Sequence, residues 1–142
     1  MDDSCVFCRI ITGEMPASFA YADERVVAFL DINPVNAGHT LVIPRRHVAS
    51  ARDLDPELGG HLWRVGVQIA RALPRAGVRL EGVDFFVADG ASAGQEVFHV
   101  HLHVIPRFVG DGFGLRFGPN NRLPAERATL EALAGRIRAA SE

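Results

Sequence analysis

The chain has 142 residues, 48% hydrophobic and 23% charged, with a net charge of −2. That is enough for one well-packed core and too little for two ordinary domains, so a single domain over residues 1–142 is expected. Scattered, near-balanced charge argues against an electrostatic nucleic-acid surface and any obligate nucleic-acid partner. Residues 1–4 lack the basic flank and apolar run of a secretory signal, and no apolar stretch approaches a membrane span, so a cytoplasmic protein with no membrane partner is expected.

In chain order, Cys5 and Cys8 accompany a short helix predicted over 6–12, and short strands follow over 19–21, 26–30 and 40–43, bounded by Gly, Pro, Asn and Asp. Asp55-Pro56 is a helix-start signal. Leu58, Leu62, Val65, Ile69 and Leu73 then recur on one helical stripe that stops near Pro74 and Gly77. Trp63 on this helix is read as core, or alternatively as part of an isologous surface. Further strands are predicted over 83–88 and 97–105, then a loop region containing Gly110 to Gly114 and Gly118 to Asn121. A last helix over 125–140 carries Leu130, Leu133, Ala134 and Ile137 on one side. The plan is α+β, with a five-stranded antiparallel sheet, one long helix and one or two shorter ones.

His99, His101 and His103 alternate in a run rich in Val, Leu and Ile, so as a strand they would project from one face. A satisfied core histidine explains one such residue easily and three poorly. Upstream, Asp89 to Gly94 is a small-residue loop whose backbone N–H groups can approach a phosphate, and Gln95 offers an amide donor. The Cys5-x-x-Cys8 pair admits three readings: a redox couple, half of a metal site, or two unrelated thiols. The bulky Val6-Phe7 spacer and the place at the start of the chain weaken the redox reading.

The segment Gly94-Gln95-Glu96-Val97-Phe98-His99-Val100-His101-Leu102-His103-Val104-Ile105-Pro106-Arg107 resembles the signature of the histidine triad (HIT) superfamily of nucleotide hydrolases and transferases. Cys5-Val6-Phe7-Cys8, Phe29-Leu30-Asp31-Ile32-Asn33-Pro34 and the run from Gly38 to His47 resemble its other marks, in its order. The likeness covers about residues 5–107; residues 108–142 carry no recognised signature.

The resemblance to the Hint branch implies a HIT-like fold and a nucleotide phosphoramidase or hydrolase. Its substrates would be adenosine or other purine 5′-monophosphoramidates, cleaved through a covalent nucleotidyl-histidine with release of AMP. It implies His101 as nucleophile, His103 and Gln95 on the phosphoryl oxygens, and His39 close behind. Asp31 would bind the ribose hydroxyls. Val6, Phe7, Ile10, Met15 and Phe29 would form the base pocket, with Gln95, Val97, His101 and His103 completing nucleotide binding. A structural zinc on Cys5, Cys8, His47 and His99, no organic cofactor, and a homodimer are implied as well.

Two positions depart from the commoner family pattern. Ala88 stands where members often carry Asn or Gln, and Glu96 where many carry Ser or Thr. A dinucleoside polyphosphate hydrolase of the Fhit branch, and a zinc-stabilised nucleotide-binding protein with vestigial catalysis, are the alternative readings.

Overall fold

The computed structural model describes residues 2–141, which divide into two compact units meeting at Asp111 and Gly112. In the first unit, α1 (Val6–Ile11), β1 (Phe19–Ala22), β2 (Val26–Leu30), β3 (Thr40–Pro44), α2 (Pro56–Ala72), β4 (Gly82–Phe86) and β5 (Leu102–Arg107) follow in that order. The sheet is antiparallel throughout, with strand order β1-β2-β3-β5-β4. The second unit contains α3 (Arg127–Ala140), whose Leu130, Leu133 and Ile137 are exposed.

Alternation along the strands sends successive residues into two cores. Val26 and Ala28 of β2, Val42 of β3, and Leu102 and Val104 of β5 pack with Leu58, Leu62, Val65 and Ile69 of α2. Val27 and Phe29 of β2 and Leu41 and Ile43 of β3 pack with Cys5, Phe7, Cys8 and Ile10 at the other face. Burial on both faces is why these strands read as continuous apolar runs. α2 starts as expected: Asp55 caps it by accepting from the Leu58 N–H at 3.0 Å, with Pro56 in the first turn.

Asp23 closes the β1–β2 turn and meets α2 at His61, 2.6 Å away. Burial opposes its charge. The N–H groups of Val26 and Arg25, the Tyr21 hydroxyl and His61 outweigh that, and hold its carboxyl well below the ordinary range.

Two expectations need correction. The strand predicted over 97–105 begins only at Leu102, so His99 and His101 lie in a bent segment ahead of β5. The reason is local: the His99 carbonyl accepts from His101 Nδ1 at 2.8 Å and is occupied outside any ladder. Trp63 is not core; it is 52% exposed and rests against Phe85, ring centroids 4.7 Å apart.

α2 approaches β5 closely at Gly66, where an added Cβ would stand 2.7 Å from Leu102 Cδ2. Leu102 is buried and cannot swing away. Gly66→Ala should therefore destabilise the protein by about 1–3 kcal/mol despite the better helix propensity of alanine, as read by urea unfolding.

Candidate active site and metal centre

One register row crosses all five strands: Phe19, Phe29, Leu41, His103 and Phe86 are successive partners, so their side chains share a face. Phe29, Leu41 and His103 of this row line a cavity of about 220 Å³ together with Phe7 and Ile10 of α1, Asp31, Ile32, Asn33, Val97 and His101. A larger cleft of about 520 Å³ lies along α2, between Trp63 and Arg75, and has no histidine, cysteine or carboxylate in its lining. Chemistry, not size, selects the smaller cavity.

The hydrogen-bond network assigns the protons on these histidines. His101 Nδ1–H donates to the His99 carbonyl at 2.8 Å, which leaves the Nε2 lone pair free on the opposite edge of the ring. The Val35 backbone N–H donates to His39 Nδ1 at 3.2 Å, so that nitrogen is an acceptor and Nε2 carries the proton. His39 Nε2–H then donates to His103 Nδ1 at 2.8 Å. The proton of His103 is left on its own Nε2. Burial keeps both rings neutral, pushing His39 down and His103 from the ordinary 6.5 to about 4, with the neighbouring His101 adding to the effect. The result is a ring nitrogen lone pair on His101 beside an N–H donor on His103, ring centroids 4.8 Å apart.

Cys5, Cys8, His47 and His99 form a second cluster, with one ligand atom from each within 4.8 Å of the others. Here too the backbone places the proton. His99 Nε2–H donates to the Pro44 carbonyl at 2.8 Å, and its Nδ1 lone pair faces Cys5 Sγ at 3.5 Å and Cys8 Sγ at 3.7 Å. His47 Nδ1 stands 3.4 Å from Cys8 Sγ, with Asp2 4.0 Å from its other nitrogen. Burial pushes the Cys5 thiol up, which a bound cation would reverse. Two thiols and two imidazole lone pairs converging in this way can hold a metal ion. Asp31, His39 and His103 are also close enough to share a cation. They are less suited, since a cation would displace the His39 Nε2 proton and leave Nδ1 to face the Val35 N–H as a second donor.

The structure thus brings Phe7, Ile10, Phe29, Asp31, Val97, His101 and His103 to one cavity, with His39 directly behind. It uses Gln95 differently from the expected phosphoryl contact. Gln95 is 5% exposed, its Nε2 donates to the Ala49 and Val97 carbonyls, and its Oε1 accepts from Gly90 N–H. With both amide protons engaged, Gln95 shapes the loop. Val6 lines an adjoining cleft with Asp2 and Phe98, and Met15 packs on the core under α1, so neither lines this cavity. Ala88 is buried and outside the lining, while Glu96 lines both the cavity and the adjoining cleft. Asp89 is bonded to Ala51 N–H and Arg52, which leaves it no part in the cavity.

Sequence reasoning missed Pro16, Ala17, Leu30, Ile32, Asn33 and Leu41 as lining residues. Ile32 is 88% exposed beside Asp31. Its place inside the quoted 29–34 segment was the available signal.

A HIT domain model matches residues 12–110. The chain belongs to the HIT family. A HIT-like protein of Borreliella burgdorferi is 46% identical over 124 residues, covering 87% of this chain and 89% of that one. An Arabidopsis thaliana protein named adenylylsulfatase HINT3 is 36% identical over 107 residues, 75% of this chain and 54% of its own length. Among solved structures, a Streptococcus mutans protein superposes with a TM-score of 0.91 at 38% identity, covering 100% of this chain and 88% of that one. A zinc-bound histidine triad protein from Mycobacterium smegmatis gives 0.75 at 40% identity, over 96% and 97% of the two chains. A histidine triad nucleotide-binding protein from Candida albicans gives 0.84 at 26%, over 96% of each. Among the described residues no helix is long and apolar enough to cross a membrane.

Because His103 resists protonation down to about 4 when folded but takes a proton near 6.5 when unfolded, its contribution to stability is complete above pH 6.5. It is lost as the pH falls from there toward 4. Denaturant unfolding at several pH values should show this decline, with a shallower slope for His103→Asn.

Proposed function

We propose that this HIT protein is a nucleotide phosphoramidase or hydrolase that cleaves adenosine or other purine 5′-monophosphoramidates and releases AMP. The observation that carries the reading is the hydrogen-bond pattern of the two cavity histidines, whose Nδ1 atoms are taken up by the His99 carbonyl and by His39 and whose Nε2 atoms have no such partner among the described residues. His101 Nε2 attacks phosphorus; the N–P bond forms as the bond to the leaving amine breaks, the amine taking its proton from solvent water while His103 Nε2–H donates a hydrogen bond to a phosphoryl oxygen. The positive charge that develops on the His101 ring is carried by Nδ1–H against the His99 carbonyl. Water then attacks phosphorus and gives its proton to solvent, which balances the one taken up by the amine, and AMP leaves with the His101 lone pair restored. Asp31 would accept from the ribose hydroxyls, and Phe7, Ile10, Phe29 and Ile32 offer an apolar wall to the base. The adenylylsulfatase name of the plant relative and the nucleotide-binding title of the Candida protein support a nucleotide substrate.

We assign zinc to Cys5, Cys8, His47 and His99, whose two thiolates and two imidazoles suit a closed tetrahedral structural site. The zinc-bound mycobacterial relative supports that choice. The reading also takes the chain as a single domain and a cytoplasmic homodimer, with the exposed Trp63 of α2 in an isologous surface. Sedimentation of the wild type against Trp63→Glu tests the dimer.

His101→Gly should abolish turnover of a fluorogenic adenosine phosphoramidate while leaving AMP affinity within about tenfold of wild type, because the ring acts chiefly in the covalent step. More than a few per cent residual activity would overturn the nucleophile assignment. Faster cleavage of diadenosine polyphosphates than of phosphoramidates would replace the leaving group in this reading.

Metal analysis of protein purified without chelator should find about one zinc per chain, and Cys8→Ser should lower both zinc content and Tm. Metal-free wild type of equal stability would refute the zinc assignment.

A further inference from the structure

Phe7 lies inside the Cys5-x-x-Cys8 spacing, and its ring meets both functional clusters. It stands edge-on to His101 at 5.3 Å and to His99 at 5.8 Å, and edge-on to Phe29 at 5.6 Å. The same ring lines the nucleotide cavity, as does Ile10 one turn later. α1, which carries both, has six residues, no side-chain cap at Cys5 and no acidic residue in its first turn. A helix that short does not hold itself; tertiary contacts must hold it.

His99 makes the second link. Its ring nitrogen faces the two cysteines at 3.5 and 3.7 Å, and its backbone carbonyl holds His101 Nδ1 at 2.8 Å. One residue therefore belongs to the cysteine cluster by its side chain and to the nucleophile by its main chain.

We propose that the Cys5, Cys8, His47, His99 centre is a positioning element of the reaction site, coupled to it through Phe7 and the His99 carbonyl, so that metal and nucleotide bind cooperatively. This rests on the zinc and nucleotide assignments above. When Cys5 and Cys8 are ligated together with His99, α1 is tied to the segment that carries His101, and the Phe7 ring is held against the His101 edge. When they are not, the four side chains are joined by thiol to imidazole contacts of 3.4 to 3.7 Å and by the edge-on meeting of the His47 and His99 rings at 5.1 Å, and sulfur is a weak donor and acceptor. α1 is then held only by the packing of Phe7, Cys8 and Ile10 on Val27, Phe29, Leu41 and Ile43, which fixes the place of Phe7 and Ile10 in the cavity wall less tightly. Phe7 is thus a positioning residue for His101 as well as a contact for the base. Linkage requires the effect to be reciprocal: nucleotide in the cavity must tighten the hold on zinc by the same factor.

The test uses the zinc-loaded protein. Zinc affinity is measured by competition with a chromophoric chelator, with and without saturating AMP, and AMP affinity by calorimetry on loaded and chelator-stripped protein. The expected result is that AMP raises zinc affinity by about fivefold or more, within the usual range of site-to-site coupling, and that stripping weakens AMP by a matching factor. Phe7→Leu should retain one zinc per chain, lower kcat more than it raises KM, and reduce the coupling factor. Zinc affinity unchanged by AMP overturns the proposal, whether or not the stripped protein stays folded, because that measurement is made on loaded protein. A coupling factor unchanged in Phe7→Leu overturns the route through that ring. If AMP does not bind the loaded protein at all, the nucleotide reading fails and this inference with it, whereas AMP binding without coupling removes this inference alone.

Discussion

Neighbouring residues of β2 and β3 enter different cores, Val26, Ala28 and Val42 under α2 and Val27, Phe29, Leu41 and Ile43 under α1. This double burial holds the sheet between two apolar layers and permits no slip in register, since a shift of one residue would exchange the two sets. The cross-strand row from Phe29 through Leu41 to His103 is a consequence of that locked register. The His103 imidazole is thereby set beside the apolar side chains of Phe29 and Leu41. α1 closes the same face, which is why six residues suffice to build a wall of the cavity.

Fixed main-chain atoms govern the chemistry of the imidazoles. The Pro44 carbonyl, the His99 carbonyl and the Val35 N–H each hold one ring nitrogen, and the proton pattern across His99, His101, His39 and His103 follows from those three contacts. Nearly identical side chains acquire different roles: a lone pair toward thiols, a lone pair toward the cavity, and an N–H donor. Burial keeps His39, His99 and His103 neutral, so the pattern does not dissolve by protonation near neutral pH. Asp31, 3.7 Å from His39, partly offsets the effect of burial on that ring.

The cysteine–histidine cluster takes the His99 side chain, the His99 carbonyl holds His101 of the cavity, and the Phe7 ring packs against both histidines. In a chain of this size a separate scaffold for each would need more core than is available, and one short helix serves both. Gln95 plays a comparable supporting part: its buried amide ties Gly90, Ala49 and Val97 together, holding the loop that leads into the histidine run.

Much of this was legible in residue order. Apolar periodicity located α2 and the strands, since burial writes a period of 3.6 or 2 into any sequence, and the alternating histidines with the cysteine pair marked the chemistry. The site roles of the α1 residues and of Asp31 entered through likeness to a family. What residue order could not express was contact between distant parts of the chain. His47 lies beside Cys8 across 39 positions and His39 beside His103 across 64, by strand pairing and loop closure. The bend at His99, the inward turn of Gln95 and the exposure of Trp63 and Ile32 were likewise decided in three dimensions. A side chain's partners depend on what the folded chain leaves within reach, whereas periodicity records only that some face is buried.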